Sequence, residues 1–213
     1  MKIALFGASG TIGQRIALEA LARGHEVKAI VREPARLHLS HQHLSVAAGN
    51  ILDPASVAEA VAGYDVVVNA TGPRRDGSEK PQTLVDAAHS VIEGLTRAGV
   101  RRLIVVGGAG SLEVAPGKQL VDTPDFPKAW LPGALAARDA LAVYCTAKLD
   151  WTVFSPAGLI QPGERTGKYR TGTDQLVTND KGESYISAED YAIALVDEIE
   201  MPRFVRKRFT AAY

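Results

Sequence analysis

The sequence predicts an α/β fold in which a doubly wound parallel sheet lies between two layers of helices (a three-layer α/β/α arrangement). Runs rich in Val and Ile recur along the chain, and helical apolar patterns separate them. Parallel strands need crossover connections, which are usually helices, so this alternation favours a parallel sheet. The length of 213 residues and the 46% hydrophobic content suit one buried core. We therefore expect a single domain over residues 1–213.

Each strand is predicted from a short apolar run with β-branched residues. The runs cover residues 2–6, 26–31, 44–48, 65–70, 101–106 and 151–155, and residues 208–213 suit a closing strand.

The helices are predicted from apolar spacing and from residues typical of helix ends. In the first helix Ile12, Ile16 and Ala20 share one face, and the helix ends near Gly24. A proline suited to a first helical turn opens each of three more helices. These cover residues 54–61, 81–98 and 132–148. Ser187 predicts the start of the last helix, with acidic residues in its first turn.

Two segments interrupt this alternation. Residues 110–131 contain three prolines and form too long a connection for an ordinary turn, so we expect a loop above the functional site. Residues 161–185 are dense in Gly, Lys and Thr and predict a small irregular C-terminal cap.

Three glycines link the first strand to the first helix in the spacing GxxGxxG. Such a turn lets the backbone approach a pyrophosphate, and the helix N-terminus then offers N–H groups to the phosphates. A glycine-rich turn can also join any strand to any helix, but this context favours a Rossmann-type dinucleotide site. The residues expected to hold the pyrophosphate are Gly7, Ser9, Gly10, Thr11, Ile12 and Gly13.

Arg32 follows the second strand, where an acidic residue would commonly bind the ribose 2′-hydroxyl of NAD(H). An arginine can instead pair with a 2′-phosphate, so we expect NADP(H) to be preferred. The neighbouring Glu33 leaves binding of NAD(H) possible. Alternatively, Arg32 is a surface cation that binds no ligand.

Ligands of open α/β sheets bind beyond the carboxyl ends of the strands, so the residues that follow the other strands complete the predicted site. Asp53 precedes Pro54 and is expected to cap a helix rather than bind adenine. We expect adenine contacts from Asn50 and Ile51, ribose or phosphate contacts from Ala70, Thr71, Gly72 and Arg74, and nicotinamide contacts from Pro156 and Ala157.

Several of these segments together resemble the atypical short-chain dehydrogenases/reductases. They are GASGTIG at 7–13, Arg32, GNILD at 49–53, NATG at 69–72, SPAGLI at 155–160, PGERTGKY at 162–169 and ISAEDYA at 186–192. The similarity spans essentially the whole chain and is greatest to the NAD(P)H-binding group of NADH-flavin reductases and biliverdin/flavin reductase-like proteins. It implies a nicotinamide cofactor and a flavin- or quinone-like hydride acceptor. The NmrA-like relatives imply an alternative, a non-catalytic NADP(H)-binding redox sensor.

Tyr144 and Lys148 match the YxxxK pattern of short-chain dehydrogenases, but they fall at the end of the predicted 132–148 helix. We therefore expect them to lie far from the nicotinamide. Gly107 and Gly108 replace the serine that normally follows the fifth strand, and Ser111 comes too late. A sugar-nucleotide epimerase or dehydratase is disfavoured because those reactions need the tyrosine base.

Reduction of a ketone would need an acid to protonate the developing alkoxide. Since no such residue is expected near the nicotinamide, the expected chemistry is hydride transfer to FMN, FAD or a quinone as substrate, because a conjugated acceptor can take its proton from water. Trp130 or Phe126 could stack on the acceptor, or both could anchor the 110–131 loop in the core. The catalytic residues stay unassigned.

Composition excludes several other classes of function. With 24 basic and 24 acidic residues, no nucleic-acid or acidic-membrane surface is expected. One cysteine and five histidines without ligand spacing argue against a metal site. No apolar run approaches about 20 residues, and the first strand leaves no room for a cleavable signal, so we expect a cytoplasmic monomer or homodimer.

Overall fold

The structure is a computed structural model that describes residues 1–72 and 80–213. Its strands are β1 (Lys2–Phe6), β2 (Glu26–Val31), β3 (Leu44–Ala48), β4 (Val66–Asn69), β5 (Arg102–Val106), β6 (Glu113–Ala115), β7 (Lys118–Gln119), β8 (Asp150–Ser155), β9 (Leu159–Gln161), β10 (Arg170–Gly172), β11 (Tyr185–Ser187) and β12 (Lys207–Ala212). The helices are α1 (Thr11–Ala22), α2 (Pro54–Val61), α3 (Thr83–Ala98), α4 (Leu131–Cys145) and α5 (Ala188–Glu200).

One eight-stranded sheet forms the centre, with the strands in the order β10-β12-β8-β5-β4-β1-β2-β3. All neighbours pair in parallel except β10, which runs antiparallel to β12. The predicted fold class is therefore confirmed. From β1 the chain proceeds to β2 and β3 on one side and then returns to β4 on the other. Ligands of such sheets bind where the strand order reverses, at the carboxyl edge.

Helices cover both faces of this sheet, since α1 and α5 pack on one face and α2, α3 and α4 on the other. Alternate residues of β1 enter opposite cores, with Ile3 and Leu5 on the α1 side and Ala4 and Phe6 on the α3 side. Burial on both faces explains why the strands read as continuous apolar runs. None of the helices in the described segments has the length and hydropathy needed to cross a membrane.

The end of α4 differs from the sequence prediction, because the helix stops at Cys145 and not at Lys148. The Thr146 hydroxyl donates a hydrogen bond to the Val143 carbonyl oxygen at 2.8 Å, and the Thr146 N–H also bonds to that oxygen at 3.1 Å. Such local bonds compete with the next helical hydrogen bonds. Lys148 consequently lies in the exposed turn that leads to β8.

The two irregular segments are more ordered than the sequence predicts. Residues 110–131 contain the β6–β7 hairpin, and part of the predicted cap, β10, joins the main sheet as its edge strand. Arg208 on β12 connects both segments. Its guanidinium bonds to the Ser111 carbonyl at 3.0 Å and hydroxyl at 2.8 Å, and it forms an ion pair with Asp174 at 2.6 Å. Ser111 is therefore engaged in holding this loop.

Asp190, in the first turn of α5, anchors the beginning of the cap. Its buried carboxylate accepts hydrogen bonds from the Thr166 and Gly167 N–H groups, both at 2.8 Å, and from the Thr166 and Tyr213 hydroxyls. Burial alone would raise the pKa of Asp190, but these hydrogen bonds outweigh it and lower the pKa. Ser187 caps α5, as predicted, by accepting from the Asp190 N–H at 3.0 Å.

We expect Asp190→Asn to lower the free energy of unfolding at neutral pH by about 1.5–3 kcal/mol, since an amide nitrogen would face these donors. Because the pKa of Asp190 is lower in the folded chain, its contribution is present above its unfolded pKa and is lost as pH falls through the folded one. Urea unfolding at neutral pH and below about pH 4 should show the difference between variant and wild type shrinking in acid. Asp180→Asn, at an exposed position, is the control. A difference that does not change with pH would contradict this role.

Candidate functional site

Two cavities adjoin at the carboxyl edge of the sheet, above the point where the strand order reverses. The smaller, about 350 Å³, lies over β1 and β2 and is called the glycine-loop cavity. The larger, about 630 Å³, lies between β5 and α4 and is called the apolar cavity. Both are lined by Ala70, Thr71 and Gly72, which directly follow β4. A ligand long enough to occupy both would cross the sheet edge at these residues.

The turn between β1 and α1 depends on glycine at two positions. Gly7 has φ +82°, and a Cβ there would lie 2.5 Å from the Ala70 carbonyl oxygen. A Cβ on Gly13 would lie 2.1 Å from the Gly7 carbonyl oxygen. A Cβ on Gly10 would meet only that same oxygen, at 3.4 Å. The first and third glycines thus serve the packing of the protein itself, while Gly10 is the position of the three at which the fold leaves room for a Cβ.

The N-terminus of α1 is suited to an anion. Gly10 is its N-cap residue, and no side chain of the described residues caps the helix. Its first N–H groups precede the first intrahelical hydrogen bond, which Gln14 donates to the Gly10 carbonyl at 2.9 Å. Such N–H groups and the positive end of the helix dipole stabilise phosphate. A dinucleotide pyrophosphate fits this turn.

The far side of the glycine-loop cavity follows β2 and β3. Exposed Arg32 lies on the wall, near Asn50 and Ile51. The Asn50 side-chain oxygen accepts from the Leu52 N–H at 3.1 Å, and its own N–H donates to Ser56 at 3.0 Å, so Asn50 also builds the turn. Asp53 caps α2, as predicted, by accepting from the Ala55 N–H at 3.0 Å.

Most of the predicted cofactor residues are brought together here. The glycine-loop cavity is lined by Gly7, Ser9, Gly10, Arg32, Asn50, Ile51, Ala70, Thr71 and Gly72. Thr11 is exposed at the start of α1, and Ile12 lines the apolar cavity instead. Pro156 and Ala157 are buried, and the next residue, Gly158, lines the apolar cavity. Arg74 lies outside the described residues.

Small residues let α4 approach the loop after β5, and both segments line the apolar cavity. A Cβ on Gly108 would lie 2.9 Å from the Ala137 Cβ, and one on Gly110 would lie 2.8 Å from the Ala134 Cβ. The walls are mostly apolar, with Ile12, Leu84, Val105, Val106, Leu141, Val153 and Leu176.

Both predicted acceptor contacts belong to the segment that covers the apolar cavity. Phe126 and Trp130 line it, together with Leu120 and Thr123 from the same loop. Trp130 is 58% exposed, so it is no core anchor, whereas Phe126 is half-buried. Contact with an acceptor stays a prediction for both residues.

The sequence predicts that Tyr144 lies away from the carboxyl edge of the sheet and therefore far from the nicotinamide, and this placement at the far end of the sheet is wrong. The Tyr144 backbone is at the end of α4, but its buried side chain lines the apolar cavity, and its hydroxyl lies 3.2 Å from the Asn69 side-chain nitrogen. Helical side chains point back toward the helix N-terminus, so a long residue at the last turn reaches toward the carboxyl edge of the sheet. Lys148 is exposed beyond α4, so the two residues do not form the YxxxK pair.

Asn69, the last residue of β4, has no predicted role beyond its place in NATG, where the ribose and phosphate of the cofactor are expected to pass. Its side-chain oxygen accepts hydrogen bonds from the Thr71 N–H at 3.0 Å and the Thr71 hydroxyl at 2.7 Å. It thereby holds the turn that both cavities share. The signal was present in the sequence as the first letter of NATG, a polar residue that ends a fully apolar strand.

The comparisons with known proteins agree with this geometry. The NAD(P)H-binding family matches residues 7–202. The uncharacterised protein YwnB of Bacillus subtilis is 43% identical over 214 residues, which cover 99% of this chain and 97% of YwnB.

The similar solved structures that cover this whole chain include the following two. One is of a Burkholderia pseudomallei protein provisionally described as exported, with 54% identity, a TM-score of 0.91 and 100% of its own chain covered. The other is of SP1627 from Streptococcus pneumoniae, provisionally described as an NADH-flavin reductase, with 35% identity, a TM-score of 0.87 and 99% of its chain covered. This chain, which carries the glycine turn and the two cavities described above, therefore belongs to the NAD(P)H-binding family.

Proposed function

We propose that the chain is an NAD(P)H-dependent oxidoreductase that passes a hydride to a flat conjugated acceptor, a flavin or a quinone. The observation that carries this proposal is the junction of the two cavities at Ala70, Thr71 and Gly72. One cavity suits a nucleotide and the other suits an apolar ring. The bound nicotinamide would supply the hydride.

The residues of the glycine-loop cavity would bind and orient the nucleotide. The α1 N-terminus and the Gly10 backbone would hold the pyrophosphate, and Arg32 would bind the 2′-phosphate of NADP(H). Thr71, held by Asn69, would fix the path of the chain where the nucleotide enters the apolar cavity. Hydride transfer needs this positioning more than any other contribution from the protein.

The apolar cavity would hold the acceptor and exclude water from it. Its volume of about 630 Å³ lies within the usual range of small-molecule sites, and its lining is mainly hydrophobic, as such sites require. Trp130 and Phe126 offer aromatic faces on which a planar ring can stack. The provisional description of the Streptococcus pneumoniae relative supports a flavin as one such acceptor.

We expect the purified protein to oxidise NADPH with FMN, FAD or a simple quinone. Absorbance of the reduced nicotinamide, followed after each acceptor is added, measures turnover. Binding of both redox forms of the nucleotide without turnover on any acceptor would overturn the enzyme proposal. That outcome would favour an NADP(H)-binding sensor instead.

Arg32→Ala should weaken NADPH binding by about 1.5–3 kcal/mol, the scale of a hydrogen bond to a charged group, and leave NADH binding nearly unchanged. Titration calorimetry with both nucleotides measures the difference. Arg36→Ala is the matched control, because Arg36 is an exposed arginine that forms an ion pair with Glu33 and lies outside the cavity lining. Equal losses for both nucleotides would remove Arg32 from this role.

Gly10→Ala and Gly13→Ala should separate ligand binding from folding. Gly10→Ala should weaken NADPH binding at least tenfold with little change in the urea midpoint, since the protein itself leaves room for the methyl group. Gly13→Ala should lower the midpoint, because its methyl group would collide with the Gly7 backbone. Unchanged NADPH affinity in a folded Gly10→Ala variant would contradict the pyrophosphate assignment.

A further inference from the structure

Tyr144 and Asn69 place a polar pair at the inner end of the apolar cavity. Both side chains are buried, with Tyr144 2% and Asn69 4% exposed. The neighbouring lining residues Ala140, Leu141 and Val153 are apolar. In such apolar surroundings, a hydrogen bond from either polar side chain to a ligand is stronger than the same bond in water.

The hydrogen bonds of Asn69 determine which way this pair is oriented. The Thr71 backbone N–H can only donate, so the atom of Asn69 that faces it must be the side-chain oxygen. The Asn69 NH₂ group then faces Tyr144 and donates to the phenolic oxygen at 3.2 Å. Tyr144 accepts in this bond, and its own hydroxyl hydrogen is not used in it.

The Tyr144 hydroxyl can therefore donate one further hydrogen bond. Across residues 1–72 and 80–213, no group accepts its hydrogen. Burial raises the pKa of Tyr144, and the hydrogen bond from Asn69 only partly opposes this, so the phenol is protonated at neutral pH. A buried donor without an acceptor is costly, and a ligand oxygen in the cavity would remove that cost.

We propose that the Tyr144 hydroxyl donates a hydrogen bond to a carbonyl oxygen of a neutral quinone in the apolar cavity, with Asn69 as its positioning residue. This inference rests on the proposed function and narrows its acceptor. The apolar walls favour an uncharged ring, and the carboxylate of Asp125, the charged residue among the described lining, disfavours the phosphate of FMN.

The hydrogen bond would act on the charge that develops during reduction. Hydride addition carries two electrons from the nicotinamide to the quinone, and negative charge accumulates on the quinone oxygens. Tyr144 would stabilise one of these oxygens, as donors placed at a developing oxyanion do. The hydroquinone takes its remaining proton from water, so Tyr144 keeps its own proton.

The test compares a quinone with the hydrocarbon of the same shape. The probes are 2,3-dimethyl-1,4-naphthoquinone, whose substituted ring carbons resist addition of the exposed Cys145 thiol, and 2,3-dimethylnaphthalene. Dissociation constants are measured in the presence of NADP⁺, so no turnover occurs. Tyr144→Phe should weaken quinone binding about tenfold and leave hydrocarbon binding unchanged.

Two further variants control for a structural effect. Tyr191→Phe also removes a buried hydroxyl, which donates to the Phe154 carbonyl at 2.6 Å, but it lies outside the cavity lining and should change neither constant. Asn69→Asp would face Tyr144 with an oxygen that takes up the hydroxyl hydrogen, so quinone affinity should also fall about tenfold although Tyr144 is present.

Equal changes for quinone and hydrocarbon in Tyr144→Phe, or no change for the quinone, would overturn the inference. A wild-type protein that binds the two probes equally well would also overturn it. Selective quinone binding that is lost in Tyr144→Phe, without NADPH oxidation by the wild type, would leave this site standing and would contradict the proposed oxidoreductase function alone.

Discussion

The close backbone approach of β1, α1 and β4 is the constraint on which the rest of the site depends. Gly13 lies against the Gly7 carbonyl, and Gly7 lies against the Ala70 carbonyl, with no room for a Cβ at either position. These contacts bring the N-terminus of α1 directly over the edge of the sheet. They also align the turn after β4 with the turn after β1, so both cavities open on the same side. The N-terminus of α1 and the apolar cavity are thus neighbours because two glycines allow three backbone segments to meet.

The seven parallel strands of the central sheet, and hence the location of the candidate site, could be predicted from the sequence to within a residue or two, whereas β6, β7, β9, β10 and β11 were not predicted. Continuous Val- and Ile-rich runs define doubly buried strands, and the residues that follow such strands must meet at one edge. Helix starts were also predictable where a capping side chain is explicit, as with Asp53 and Ser187. These features are local, so a single sequence contains them.

The sequence predictions failed where the structure depends on side-chain hydrogen bonds or on contacts between segments that are remote in sequence. The placement of Tyr144 was judged from its position along the helix, whereas its ring extends back along α4 and meets Asn69, 75 residues earlier in sequence. The early end of α4 depends on a hydroxyl of Thr146 that a pattern of apolar residues does not contain. The order within residues 161–185 also depends on partners remote in sequence, namely β12 and the α5 carboxylate Asp190.

The contacts of Arg208 bear on the order in which the parts of the molecule can fold during synthesis. Its β12 side chain is 10% exposed and holds Ser111, at the base of the segment that covers the apolar cavity, and Asp174 next to β10. The described residues that line both cavities all precede β12 along the chain. During synthesis, which proceeds from the N-terminus, the glycine turn and the glycine-loop cavity can therefore assemble early. The segment that covers the apolar cavity gains its contacts with Arg208 only when β12 has emerged and paired with β8.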